Sequence, residues 1–254
     1  ASSEHTGLAR EVARQSIVLL KNKDKLLPLK KDIRTLAVIG PNADNVYNML
    51  GDYTAPQADG TVVTVLDGIR QKVSKETRVL YAKGCAVRDS SRTGFKDAIE
   101  TARNADAVVM VMGGSSARDF SSEYEETGAA KVTINQISDM ESGEGYDRAT
   151  LHLMGRQLEL LEEISRLGKP VVLVLIKGRP LLMEGAIQEA EAIVDAWYPG
   201  MQGGNAVADV LFGDYNPAGR LTLSVPRSVG QLPVYYNTRR KGNRSRYIEE
   251  PGTP

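Results

Sequence analysis

The chain has 254 residues, 41% of them hydrophobic and 25% charged, proportions ordinary for a soluble globular protein. Its 32 Lys and Arg cancel its 32 Asp and Glu, so there is no net field to hold nucleic acid or an anionic membrane surface. The single cysteine, Cys85, excludes an intrachain disulfide and any cysteine-rich metal site, and with only His5 and His152 a zinc site would have to be built mainly from carboxylates.

Taken in chain order, short β-branched runs alternate with longer helical patterns. The polar opening, ASSEHTGLAR, is the abrupt start expected of a segment cut from a longer protein; it carries no signal peptide, and no apolar run in the chain is long enough to span a bilayer. LAREVARQSIVLLKN (8–22) reads as one helix leading into LLPL. TLAVIG (35–40), TRVLYA (77–82), DAVVMVMG (106–113), PVVLVLI (170–176) and EAIVDAW (191–197) read as strands, and their near-continuous apolar character predicts burial on both faces, as in a parallel sheet. Between them VTVLDGIRQKVS (63–74), FKDAIETARNA (95–105), GRQLELLEEISRLG (155–168) and GGNAVADVLFG (203–213) carry apolar residues at helical spacing. Strand and helix repeated in this way predict an α/β fold: a doubly wound, mostly parallel sheet with helices on both faces. Three regions follow: a helical N-terminal lead-in over 1–34, the α/β sandwich over 35–230, and an extended, basic tail over 231–254 that needs another domain to pack on.

In such folds ligands sit in loops beyond the carboxyl ends of the strands. One of these loops, 113–150, is far longer than a connection needs to be, and its aromatic and β-branched residues mark it as an ordered site loop and not a disordered insert. The common motifs are missing: no GxGxxG follows any strand, no GxxxxGK[ST] appears, and GGSSA is not a nucleophile elbow. GMQGGN before the last helix reads as a tight turn permitting close packing, Cys85 as a small buried hydrophobe, and His152, between two leucines, as a residue lining a strand surface. What is left is carboxylates. ESGEGYDR (141–148) closes the long loop with three acids, an arginine and two glycines. Two readings stand. It is a solvated turn in which Asp147 pairs with Arg148 or caps the next segment, or it is a site whose Gly-Glu-Gly holds a glutamate on unhindered backbone, able to reach a substrate.

Several segments together resemble the second domain of glycoside hydrolase family 3, the β-glucosidase and β-xylosidase family. LAREVARQSIVLLKNKDKLLPL is similar to the stretch that leads from that family's barrel into its α/β sandwich. AWYPGMQGGNAVADVLFGDYNPAGRLTLSVP resembles a family signature, with Trp197, Pro199, Gly200, Gly203, Gly204, Asp209, Gly213, Asn216, Pro217 and Gly219 in place. IKGRPL resembles a strand-end segment beside the substrate pocket, and SGEGYDR the segment that carries the general acid/base in many members.

The resemblance implies Glu144 as the acid/base, because Ser142, Gly143, Glu144 and Gly145 reproduce the family's Ser-Gly-Glu-Gly frame; Glu141 is the rival. Asp147 and Arg148 are then expected to pair and anchor the loop. The family's nucleophile is an aspartate on a preceding (β/α)₈ barrel, which is expected to lie outside this chain; Ser138-Asp139-Met140 matches its context only superficially. The resemblance thus implies half of a retaining glycosidase site, acting on β-linked oligosaccharides or β-glycosides, without metal or organic cofactor, in a periplasmic or secreted parent protein. The partners expected are that substrate and the barrel of the same protein, with neither nucleic acid nor membrane. The alternative is a non-catalytic, flavodoxin-like binding or structural domain.

Overall fold

A computed structural model describes residues 2–117, 126–127 and 139–236. Much of the long loop and the tail from 237 onward therefore lie outside the described residues. The elements in chain order are α1 (Ser3–Ser16), β1 (Val18–Asn22), β2 (Thr35–Ile39), α2 (Val65–Lys72), β3 (Arg78–Ala82), α3 (Phe95–Arg103), β4 (Ala107–Gly113), α4 (Gln157–Ser165), β5 (Val171–Ile176), α5 (Ala186–Glu189), β6 (Ala192–Trp197) and α6 (Gly203–Leu211). They build one six-stranded sheet in the order β1-β6-β5-β4-β2-β3, parallel except for β1. Alternate strand residues point to opposite faces. Val38, Val109, Val111, Val172, Val174 and Val194 meet α1, α2 and α6 on one side. Ala37, Ile39, Met110, Leu173, Leu175 and Ile193 meet α3, α4 and α5 on the other. The doubly wound sandwich expected from the strand–helix alternation is the observed fold.

Both edges of the sheet depart from the expectation, and the short helix α5 was not expected at all. The helix expected over 8–22 stops at Ser16, where Ile17 turns extended, and Val18–Asn22 becomes an antiparallel edge strand on β6. The aliphatic run at 17–20 satisfies a helical period and a strand equally well; the open edge of β6, with its unpaired backbone groups, decides the matter. Residues 18–22 of the lead-in thus belong to the sheet. At the opposite edge, β3 is only partly covered, with Arg78 and Tyr81 exposed, because one side of an edge strand has no neighbour to bury it.

The close packing expected of GMQGGN is present. Gly204 on α6 faces α2 so closely that a Cβ there would strike the Thr64 carbonyl, and a Cβ on Gly68 would strike the Gly204 carbonyl. The same face is tied by charge. The Asp209 carboxylate, with its side chain fully buried, accepts from Arg10 Nε and Nη2 at 2.7 and 2.6 Å, from Arg14 Nε at 2.7 Å and from Lys72 Nζ at 2.5 Å. Lys72 also reaches Asp214, which pairs with Lys31. Burial pushes the Asp209 carboxyl up, but the hydrogen bonds from Arg10, Lys72 and Arg14 outweigh it and hold it down at about 2.

Gly204→Ala is expected to destabilise the protein by at least about 2 kcal/mol in denaturant unfolding, since backbone cannot yield as a flexible side chain can; an unchanged midpoint would contradict this helix contact. Asp209→Asn is expected to cost about 3 kcal/mol at neutral pH, the lower end for a broken buried pair because the cations reach solvent. A carboxyl held below its ordinary value stabilises above that value. The Asp209 contribution is therefore expected to fade as pH falls from about 4 to about 2, and wild type and Asp209→Asn to converge in acid melts.

Candidate active site

The chain order of the sheet reverses at β2: β3 lies on one side of it and β4 on the other. Crevices for ligands form beyond the carboxyl ends of strands at such a switch point. Asn42, fully buried just past β2, spans it. Its Nδ2 donates to the carbonyls of Gly114 and Ile176, at the ends of β4 and β5, while its Oδ1 accepts from Asn48 Nδ2 at 2.7 Å. Asn48 Oδ1 in turn accepts from Ser115 Oγ at 2.6 Å. A buried amide is costly unless every polar group finds a partner, and this chain of bonds satisfies it while fixing where three loops leave the sheet.

The long loop returns to the same place. The backbone N–H groups of Glu141 and Ser142 both donate to the Ser115 carbonyl, at 2.8 and 3.3 Å. Just before them Asp139 Oδ1 accepts from the N–H groups of Val87 and Arg88, so this aspartate anchors backbone. After the loop, the buried Gln157 side chain bonds both the N–H and the carbonyl of Gly113, tying the start of α4 to the end of β4. Between these anchors, Gly143 and Gly145 take positive φ (113° and 79°) and Tyr146 N–H donates back to the Gly143 carbonyl. The chain turns there in conformations that L side chains rarely adopt.

The two glutamates of ESGEGYDR fall into opposite environments. Glu141 has no exposed side-chain surface, and its Oε2 lies 2.5 Å from Arg148 Nη1 and 3.8 Å from Arg179 Nε. Glu144 stands exposed on the turn, where its Oε2 accepts from Tyr53 Oη at 2.6 Å and its N–H donates to Asp52 Oδ2 at 3.2 Å. The expected Asp147–Arg148 pair is replaced by Glu141–Arg148, with a further bond from Arg148 to the His152 carbonyl. The reason is burial: a buried carboxylate demands the guanidinium, whereas Asp147 faces water. His152 is likewise exposed on an irregular segment and not on a strand.

The loops after β5 and β6 reach the same strand ends. Tyr198 packs tightly beside Gly51 and Gly178, where a Cβ on Gly178 would strike its ring, and its Oη meets Ser142 Oγ at 3.2 Å. Burial raises its phenol above the ordinary value, against hydrogen bonds with Ser116 and Ser142 that lower it. Lys177, from IKGRPL, is buried, 2.6 Å from Asp195 and 4.1 Å from the centre of the Trp197 ring. Burial raises the Asp195 carboxyl, opposed by Lys177. Tyr53 and Trp197 both hold positive φ (57° and 55°), conformations costly for non-glycine residues that persist where surrounding structure imposes them. Cys85 is buried as expected, its thiol pushed up to about 12 by desolvation. Among the described residues no three of His, Cys, Asp and Glu cluster as metal ligands, and no helix is long and apolar enough to cross a membrane.

The sequence reading missed Asn42, Asn48, Asp52 and Tyr53, all on the loop between β2 and α2. A signal was present: residues 40–64 form a second long connection beyond a strand end, and connections of that length, like 113–150, are usually functional.

The comparisons with known proteins agree with this architecture. The model of the glycosyl hydrolase family 3 C-terminal domain matches residues 17–252. A β-xylosidase from Formosa agariphila is 43% identical over 242 residues, covering 92% of this chain and 30% of that protein. A periplasmic β-glucosidase from Salmonella typhimurium is 39% identical over 280 residues, covering 98% of this chain and 34% of that protein. Among solved structures, a β-glucosidase from Erythrobacter marinus superposes on the whole chain with a TM-score of 0.81 at 36% identity, and one from Listeria innocua in complex with glucose with 0.80 at 31%; the chain covers 34% and 33% of them. It spans about a third of the length of these relatives. By sequence and by fold the chain belongs to glycoside hydrolase family 3, as its C-terminal α/β domain.

Proposed function

We propose that this domain supplies the general acid/base of a retaining β-glycosidase, that Glu144 is that residue, and that the nucleophile is an aspartate on a (β/α)₈ barrel elsewhere in the same protein. The observation that carries the assignment is the contrast within the octapeptide: Glu141 is enclosed and committed to two arginines, whereas Glu144 is exposed on a glycine-flanked turn beyond the strand ends. A group that exchanges protons with a substrate must be able to reach it. Tyr53 and the Asp52 carboxylate hold Glu144 by side chain and backbone, which restricts its direction without burying it. In the reaction, the barrel aspartate attacks the anomeric carbon while Glu144 protonates the departing oxygen. Glu144, now ionised, takes a proton from the water that hydrolyses the glycosyl-enzyme. The substrate class is a terminal β-linked sugar, glucose or xylose, as the names of the relatives suggest. The residues that would choose between these sugars lie mostly on the barrel. The isolated chain is therefore expected to hydrolyse no aryl β-glycoside.

The test is made in the full-length enzyme. Glu144→Ala removes the proton donor and leaves the nucleophile. Dinitrophenyl glycosides, which depart without protonation, should still glycosylate the enzyme, while alkyl glycosides should slow by roughly 10²–10⁴-fold. The glycosyl-enzyme should accumulate, and azide, which needs no base, should restore turnover and give a β-glycosyl azide. Equal losses on both substrates without azide rescue would remove Glu144 from the mechanism.

A further inference from the structure

ESGEGYDR is closed at its ends. Its first residue, Glu141, and its last, Arg148, meet at 2.5 Å, with Glu141 fully buried and Arg148 only 6% exposed by side chain. The six residues between them make the turn that carries Glu144. The closure is fixed to the sheet from three directions. The Glu141 N–H is bound to the Ser115 carbonyl past β4. Its carboxylate lies against Gly114, where a Cβ would collide with Oε1. From the β5 side, Arg179 brings Nε to 3.8 Å of the same carboxylate and Nη2 to 3.4 Å of the Tyr146 carbonyl inside the turn.

A solvated turn has no use for such an arrangement. Burying a carboxylate and a guanidinium costs desolvation that their attraction only partly returns, so a buried ion pair is a poor device for stability; its best-attested use is to select one arrangement among several. Here the arrangement selected is a turn built on two glycines with positive φ, the kind of backbone that would otherwise sample many conformations. Gly143 is held close as well: a Cβ on it would sit 2.6 Å from Met140 Cε and 2.8 Å from Asp52 Oδ2.

We infer that the Glu141–Arg148 ion pair is a staple that positions Glu144 for proton transfer, with Arg179 as its second cation, and that neither Glu141 nor Arg148 takes part in the chemistry. The inference rests on Glu144 being the acid/base. Glu141 and Arg148 are positioning residues, and their loss should act only on the step that Glu144 serves.

The experiment uses the full-length enzyme with Glu141→Gln, Glu141→Ala, Arg148→Met and Arg148→Lys, each checked by thermal melting. For each, kcat/KM is measured on an alkyl β-glycoside and on the dinitrophenyl β-glycoside of the same sugar. The staple predicts a loss of roughly 10²-fold on the alkyl glycoside, the scale of a misplaced catalytic group, with the dinitrophenyl substrate nearly unaffected. Arg148→Lys, which keeps the charge but not the fork, should recover part of the loss. Azide should rescue neither Glu141→Ala nor Arg148→Met, because Glu144 is still present. If Arg148→Met does not fold, Arg148→Lys decides by the same substrate ratio. Equal losses on both substrates, or no loss, overturn the staple and leave Glu144 standing. Azide rescue of Glu141→Ala, with Glu144→Ala insensitive to leaving group, overturns the assignment of Glu144 itself.

Discussion

The arrangement of the loops beyond the strand ends depends on one buried carboxamide. Asn42 sits past β2 at the switch point, donates to the carbonyls that end β4 and β5, and accepts from Asn48, which holds Ser115. Ser115 then receives the returning long loop through its carbonyl. Each bond removes a buried polar group that would otherwise be unsatisfied, so the network is all-or-none in character. A loop of nearly forty residues cannot place a side chain by its own propensities. It can do so when its departure and return share one carbonyl and that carbonyl's residue is fixed by the sheet.

Away from Asn42 the domain is held by other means. Two apolar faces of the sheet are covered by three helices each, and α1, α2 and α6 are drawn together by glycine contacts and by the cluster around Asp209. These lie on one face of the sheet, so the packing that holds the helices is distinct from the hydrogen bonds that set the loops beyond the strand ends. Loops positioned by a rigid scaffold are where binding and catalysis concentrate.

Much of this was legible in the sequence, for identifiable reasons. The five parallel strands are mostly apolar, β-branched runs between turn residues, and four helices carry clear stripes, so most of the periods could be read. Val18–Asn22 was not legible, because its aliphatic run fits both periods and only the exposed edge of β6 chose the strand. The loop 113–150 announced itself by length and ESGEGYDR by composition, but the partner of Arg148 could not be read. Asp147 is adjacent in sequence, whereas burial, which makes Glu141 the stronger claimant, is a property of the fold. Tyr53 and Asp52, 91 and 92 residues from Glu144, are brought to it only by the winding of the sheet.

In the proposed reaction Glu144 faces a nucleophile on another domain across a shared sugar site. The most direct measurement is a crystal structure of the full-length enzyme trapped as its glycosyl-enzyme with a fluorosugar. The covalent bond is expected on a barrel aspartate with the Glu144 carboxyl about 5–5.5 Å from that aspartate, the separation of a retaining pair. Glu141 should still be enclosed with Arg148. A trapped sugar with Glu144 farther than about 9.5 Å from the nucleophile, beyond even the inverting separation, or with another carboxyl standing at the leaving-group side, would contradict it.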